Sequence, residues 1–465
     1  MRYTRRQVIA RTALALGLGP VTLWGQRNPP GIAGAHHAQA KPSRAFPAED
    51  LGFLRDLTRD VVRAARVRPG EKRGGSPANT TGFTLIMPGG NYPAYWIRDF
   101  AMSLDSGCVT AEEMLDHLRL TARCQNGPEI RRLKNGLMVP PFAIPDHINF
   151  DAGPVFYPGT YASNAEQGDG TYGILPPIDD HFEFIHIAHR YYRASGQSGF
   201  LGEAVGGMTV LDRLLKAYAA PTTDPATGLV VTSAQDRAVG FGFCDSIYFT
   251  GNLLFPSLLR FRAANQLADL CRAGGHRGPI KRLKSESENI AAHLAPTFGD
   301  RPRLAGWLMA ATGVGRQADV WGTLYALHLG ALGGAAAPHA IRTIAEAVTR
   351  ETITCEGAVR HVPMDLDASP TSAWEKAGCA HNTYQNGAFW HTPTGWLMEA
   401  LAKADRGLSR RIFQDYIQHL RQGDFRLGAK NLAPWECFGR HGHAAQNGVY
   451  MTSVAAPWAI IRTMA

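Results

Sequence analysis

Gly173-Ile174-Leu175-Pro176-Pro177-Ile178-Asp179-Asp180-His181-Phe182-Glu183-Phe184-Ile185 turns from a proline-stiffened loop into an apolar helix across two adjacent acids. The helix it opens, over 181–196, is built to be covered. A different kind of helix follows over 279–296, where Lys281-Arg282-Leu283-Lys284-Ser285-Glu286 presents charge to water. This contrast recurs along the chain. Helices near 181, 246, 319, 386 and 446 begin with aromatic, acidic or amide residues after a loop, and their partners near 203, 279, 336 and 407 carry exposed charge. Inner helices opening on a shared pocket, each backed by an outer helix facing water, predict an all-α fold: an (α/α)6 toroid of six helical hairpins.

The remaining elements fit that count. Leu51, Leu54, Val61, Val62 and Ala65 fall at helical spacing over 48–67, with Gly70 beyond the end. Thr110-Ala111-Glu112-Glu113 has the form of a capping box opening a helix over 111–125. With stretches at 97–106, 203–218, 246–272, 319–331, 336–351, 386–404, 407–421 and 446–463, about twelve helices are expected. No run alternates at period two for long enough to build a large sheet. No fixed repeat period is present, which sets a solenoid aside. The segment between Asn126 and Asp179 is long and rich in proline and aromatic residues, suiting a fixed wall over a pocket.

Composition narrows the function. The 465 residues are 45% apolar and 19% charged, which excludes a disordered or fibrous chain. The seven cysteines form no C-x-x-C pair, so neither a zinc ribbon nor a thioredoxin motif is present. Of the formal net charge of +9, five charges come from Arg2, Arg5, Arg6, Arg11 and Arg27, in a stretch of 40 residues without an acid. Arg5-Arg6, a modest apolar run from Ala13 to Trp24, and Ala38-Gln39-Ala40 read as a twin-arginine export signal over 1–40. The expected mature protein is one domain over 46–465, exported to the periplasm or beyond. Its remaining charge is mild, so nucleic acid is not an expected partner, and no later apolar run is long enough to span a bilayer.

Three segments carry chemistry. In Tyr95-Trp96-Ile97-Arg98-Asp99, a guanidinium and a carboxylate at a helix start can clamp sugar hydroxyls while Trp96 offers a ring face; the same pair could simply tie a loop to a helix. Asp179 and Asp180 sit among Ile, Pro and Phe, an environment that raises a carboxyl pKa as a general acid requires. One of the two is expected to cap the helix, which leaves the other free. Glu436, between Trp435 and Phe438, is costly to bury without a task; an exposed loop glutamate is the other reading. Companion segments place amides or acids beside aromatics: Gln235-Asp236, Asp319-Val320-Trp321, and Tyr384-Gln385-Asn386 with Trp390. His181, His186, His189 and Glu183 lack metal-site spacing.

Taken in order, these segments resemble those of glycogen-debranching amylo-α-1,6-glucosidases, with neutral/alkaline invertases and trehalases as relatives. Trp96-x-Arg98-Asp99 is similar to their W-x-R-D. Asp179 with Phe184-Ile185, Tyr191-Tyr192 and Phe200-Leu201 is similar to the stretch that bears the general acid. Gly228-Leu229-Val230 leading to Gln235-Asp236 resembles the middle segment, and Tyr384-Gln385-Asn386-Gly387-x-x-Trp390 resembles Y-x-N-G-x-x-W. Trp435-Glu436 followed by Ser453-Val454-Ala455-Ala456 resembles the segment of the general base. The resemblance spans about 90–465 and implies an inverting exo-glycosidase on α-linked gluco-oligosaccharides. Asp179 would be its acid and Glu436 its base, with Asp180 and Glu375 in reserve. Sugar contacts are expected from Trp96, Arg98, Asp99, Asp180, Gln235, Asp236, Trp321, Glu375, Gln385, Asn386, Trp390 and Trp435, and no metal or nucleotide cofactor is implied. Glu183 stands where those enzymes have Trp, and Tyr450-Met451-Thr452-Ser453 where they have Q-A-W-S. Two other uses of the barrel stay open: a sugar epimerase working through His391 and His181, or a carbohydrate-binding toroid without catalysis.

Overall fold

The computed structural model describes residues 46–73, 75–90, 92–299, 305–314, 316–367, 376–440 and 445–465. The export signal and Glu375 lie outside the described residues.

Twelve α-helices lie among the described residues. They are α1 (Ala48–Ala64), α2 (Ile97–Ser103), α3 (Ala111–Cys124), α4 (Asp179–Ser195), α5 (Val210–Ala219) and α6 (Leu254–Ala273), then α7 (Ile280–Phe298), α8 (Val320–His328), α9 (Ala336–Thr349), α10 (Thr394–Ala402), α11 (Arg406–Gln422) and α12 (Thr452–Met464). The even-numbered helices pack side by side in the order α2, α4, α6, α8, α10, α12, and α12 returns to α2, which closes the inner ring. Each odd-numbered helix lies outside it: α1 on α12, α3 on α4, α7 on α6 and α11 on α10. The expected (α/α)6 toroid is the observed fold.

Burial follows the residue pattern. In α8 every residue from Val320 to Leu327 is buried, as an inner position demands. In α7 only Leu283, Ser287, Ile290, Leu294 and Phe298 are, at spacings of three and four residues. The capping box forms as expected: the Thr110 hydroxyl accepts from the Glu113 N–H and the Glu113 carboxylate from the Thr110 N–H.

Four helices begin later than their periodicity suggests, and the reason is pairing. Before α5, Ala204–Val205 and Met208–Thr209 form a tight hairpin around Gly206 and Gly207, at φ 56° and 82°. Two consecutive positive φ values suit glycine best, and such a turn matches the twist of its strands. Before α6, Ile247–Tyr248 pairs with Lys376–Ala377 and Gly251–Asn252 with Val231–Thr232. Phe389–Trp390 pairs with Ala358–Arg360 before α10, and Gln446–Gly448 with Trp435–Cys437 before α12. The inner helices thus rise from a collar of two- and three-residue strands.

Candidate active site

At the N-terminal ends of the inner helices lies a cavity of about 870 Å³, a size that suits a small-molecule site. Its wall includes Trp96, Arg98, Asp99, Asp146, Asp245 and Glu436.

Glu436 is aimed by strand geometry. Trp435 pairs with Gly448 and Cys437 with Gln446, so Glu436 stands across from Asn447. Asn447 Nδ2 donates to Glu436 Oε2. The Tyr92 hydroxyl reaches both carboxylate oxygens, at 2.9 and 3.1 Å, and the Tyr384 hydroxyl donates to Oε1 at 3.2 Å. Asn447 adopts φ 40°, left-handed backbone that asparagine tolerates better than most residues. Burial pushes Glu436 up to about 7; its three donors pull the other way, while the Asp99 carboxylate adds to the rise.

Asp245 ends the turn Gly242–Cys244 and precedes α6. It is half-buried, with its open part on the cavity. Burial pushes it up to about 7, helped by Asp146 and opposed by Arg98. The turn is locked from both sides. Gly242 N–H donates to Asp179 Oδ2 at 2.8 Å, and its carbonyl accepts from Gln385 Nε2 at 3.1 Å. Gln385 Oε1 in turn accepts from the Ser246 N–H at 2.8 Å and hydroxyl at 2.6 Å. A Cβ on Gly242 would sit 1.8 Å from the Arg98 guanidinium carbon, so the turn tolerates no side chain there.

An ionic layer runs from the wall, at Arg98 and Asp146, to Asp179 and Asp180 behind it. Arg98 stands 3.2 Å from Asp179, 3.5 Å from Asp146 and 3.6 Å from Asp180. Asp179 and Asp180 are 0% exposed and absent from the cavity wall. Burial raises both, Asp180 the more because Asp179 lies beside it. Neither caps α4, whose N-cap is Ile178 with no side-chain bond; both lie inside the first turn, which corrects the capping expectation. Asp146 goes the other way: its burial is outweighed by the His147 ring at 2.7 Å and by Arg98, which hold it below the usual carboxylate range. His147 stacks under Trp96, ring centres 4.3 Å apart. Asp99 accepts from the Tyr450 hydroxyl at 2.6 Å and is pushed up to about 6 by burial.

Of the residues singled out in the sequence, Trp96, Arg98, Asp99, Gln385 and Glu436 meet at the cavity. Asp179 and Asp180 brace it from behind. Trp321 and Trp390 are fully buried edge-to-face partners in the aromatic core. Asn386 is buried and ties its loop to the Cys379 carbonyl, and Trp435 lies on the strand face opposite Glu436. Gln235 and Asp236 sit on an exposed turn away from the cavity. Asp245, Asp146, Asn447 and Tyr450 are among the lining residues to which the sequence alone gave no site role. The signal for Asp245 was present: an acid after Phe241 and Phe243, just before an inner helix.

No protein-family model and no curated protein matches the sequence. Solved structures do. A GH63 mannosylglycerate hydrolase from Thermus thermophilus, in complex with glucose, is 15% identical over 87% of this chain and 99% of that one, with a TM-score of 0.53. The glucoamylase from Saccharomycopsis fibuligera is 12% identical over 91% and 97%, with a TM-score of 0.54. A glycosidase in complex with glucose is 11% identical over 90% and 99%, with a TM-score of 0.53. At this identity the likeness concerns backbone alone, and the chain has the six-hairpin (α/α)6 fold of these glycosidases.

Proposed function

We propose that the protein is an inverting, exo-acting glycoside hydrolase on neutral α-linked gluco-oligosaccharides, with Glu436 as general base and Asp245 as general acid. The observation that carries this reading is two carboxyl groups, both pushed up to about 7, on the wall of one cavity. Water attacks the anomeric carbon as Glu436 takes its proton, while Asp245 donates a proton to the departing glycosidic oxygen. Three donors fix Glu436. A carboxylate offers about four acceptor positions, so one is left for that water. In this reading Asp245 takes the acid role expected of Asp179, which is 0% exposed and absent from the cavity wall.

The charge of the wall supports a neutral sugar. Asp99, Asp146, Asp245 and Glu436 face the cavity, and the one cation among its described lining residues, Arg98, is already engaged by three carboxylates. An anionic sugar would meet like charge. No histidine is among the described lining residues. His181 and His391, the pair an epimerase would use, are buried elsewhere and bonded to the Ile178 carbonyl and to His419.

A panel of α- and β-linked disaccharides and aryl glycosides tests the reading, with nuclear magnetic resonance following the first-formed anomer. An α-glucoside releases β-glucose first; retained configuration, or no cleavage across the panel, sinks it. The pH profile of turnover should be a narrow bell centred near 7, because Glu436 is protonated on the acid side and Asp245 is ionised on the alkaline side.

Tyr161 supplies a second expectation. It lies on the cavity wall yet is 58% exposed, and Asn149 Nδ2 holds its carbonyl at 3.1 Å. A ring placed this way can stack against the leaving sugar. Tyr161→Ala should raise KM for a disaccharide about tenfold and leave a methyl glycoside unchanged, with Tyr161→Trp restoring the difference. Equal effects on both substrates count against the platform.

A further inference from the structure

A second cavity, of about 550 Å³, opens at the other end of the inner helices. Its wall takes Met102 near the end of α2, His328 at the end of α8, and Arg462, Thr463 and Met464 at the end of α12. None of its lining residues belongs to the first cavity.

The barrel interior around it is largely aromatic and aliphatic, yet this wall keeps paired charges. Arg262 of α6 donates to Glu183 of α4 at 2.7 Å and to the Tyr325 hydroxyl at 2.8 Å. Asp105 meets Arg190 at 2.8 Å and His186 at 3.4 Å, and His328 meets Glu399 at 2.7 Å. Glu183 is 1% exposed, and its second oxygen has no hydrogen-bond partner. Burying an ion pair beside an unfilled space gains little stability over an apolar filling of the same volume. Stability therefore gives no reason for this arrangement.

The chemistry of the wall defines what would fit. Arg190, Arg262 and His328 each already face an acid, and Arg462, whose Nη2 donates to the Asp105 carbonyl at 2.8 Å, brings the arginines of the wall to three against its three acids, so the wall does not call for an anion. Asp105 and Glu183 each face an arginine and Glu399 bonds to the His328 ring, so it does not call for a cation either. What remains are hydrogen-bonding edges beside the rings of Phe255, Tyr325 and Trp396. Phe255 and Tyr325 stack at 4.9 Å, and Trp396 lies 4.8 Å from Tyr325. Phe255 is covered on both faces, by Phe241 and Tyr325, so the aromatic surface of this wall comes from Tyr325 and Trp396, and polar groups beside such surface match a neutral polyhydroxylated ring. We propose that this cavity is a second sugar-binding site, distinct from the catalytic one and independent of the catalytic reading.

Equilibrium binding of D-glucose, followed by calorimetry on the full chain, provides the test. Ala459 lines this cavity and is half-buried, so Ala459→Trp fills the space. The site predicts glucose binding that persists in Asp99→Asn and, measured in that background so that the first cavity does not contribute, is lost in Ala459→Trp and weakened about tenfold in the paired substitution His328→Ala with Glu399→Ala. Circular dichroism checks that each variant folds, and the rim pair serves if the filled variant does not. Glycoside hydrolysis by the rim pair should equal that of the unsubstituted chain. Absence of glucose binding, or binding that survives both the filled cavity and the rim pair, overturns the proposal.

Discussion

Asp245→Asn lowers kcat on a disaccharide by about 10²- to 10⁴-fold, the usual weight of a positioned general acid. The loss shrinks on an aryl glycoside whose phenolate leaves without a proton. Glu436→Gln costs a similar factor on both substrates, since water must be activated whatever the leaving group. Asp179→Asn behaves differently again. Asn can still accept the Gly242 N–H, so the turn that carries Asp245 is loosened rather than lost, and the defect is the same for good and poor leaving groups. Leaving-group dependence in Asp179→Asn, with none in Asp245→Asn, would return the acid role to α4. Circular dichroism and substrate binding of each variant separate chemistry from misfolding.

Arg98→Met destabilises the fold by about 3–5 kcal/mol at neutral pH, because it strips the shared cation from Asp146, Asp179 and Asp180, all of them buried. The sign of its pH dependence follows from the direction of each shift. Asp179 and Asp180 have raised values, so the folded chain holds protons that the unfolded chain has released, and their contribution weakens as pH rises. Asp146 is held low in the intact protein, so its contribution is present above its unfolded pKa and lost as pH falls. Without Arg98 all three acids favour the protonated form. The deficit should therefore be largest above about pH 7 and shrink toward pH 5. Urea denaturation at several pH values measures it. A midpoint equal to that of the unsubstituted chain at every pH would mean the cation is not needed there.

The position of Glu436 shows how far local pattern reaches. A carboxylate among aromatics is anomalous on its own strand, and that anomaly is visible without any neighbour. Asp179 shows where local pattern misleads. Its surroundings in the chain, two prolines, an isoleucine and a second acid, suit a raised carboxyl, and the carboxyl is raised. What the chain nearby does not reveal is that Arg98 and Gly242, about 80 and 60 positions away, close over it. Asp245 was overlooked for the reciprocal reason. The apolar run of α6 extended the expected helix back to 246, so the acid fell on its boundary. In the fold, Ile247–Tyr248 pairs with Lys376–Ala377, and the acid is left on the collar beside the cavity.

Alternating charged and apolar helices determined the toroid, because the 3.6-residue period reports which face of each helix is covered and needs no partner to be read. The sequence by itself also singled out the Trp96-Arg98-Asp99 cluster and Glu436, which meet at the cavity. Only the tertiary structure decided which acids face the cavity and which brace it. That choice depends on the closure of α12 onto α2, on a turn at Gly242 that admits no side chain, and on one guanidinium shared among three carboxylates. Burial and field at a carboxyl are set by atoms from many segments at once, and no periodicity within one segment encodes them.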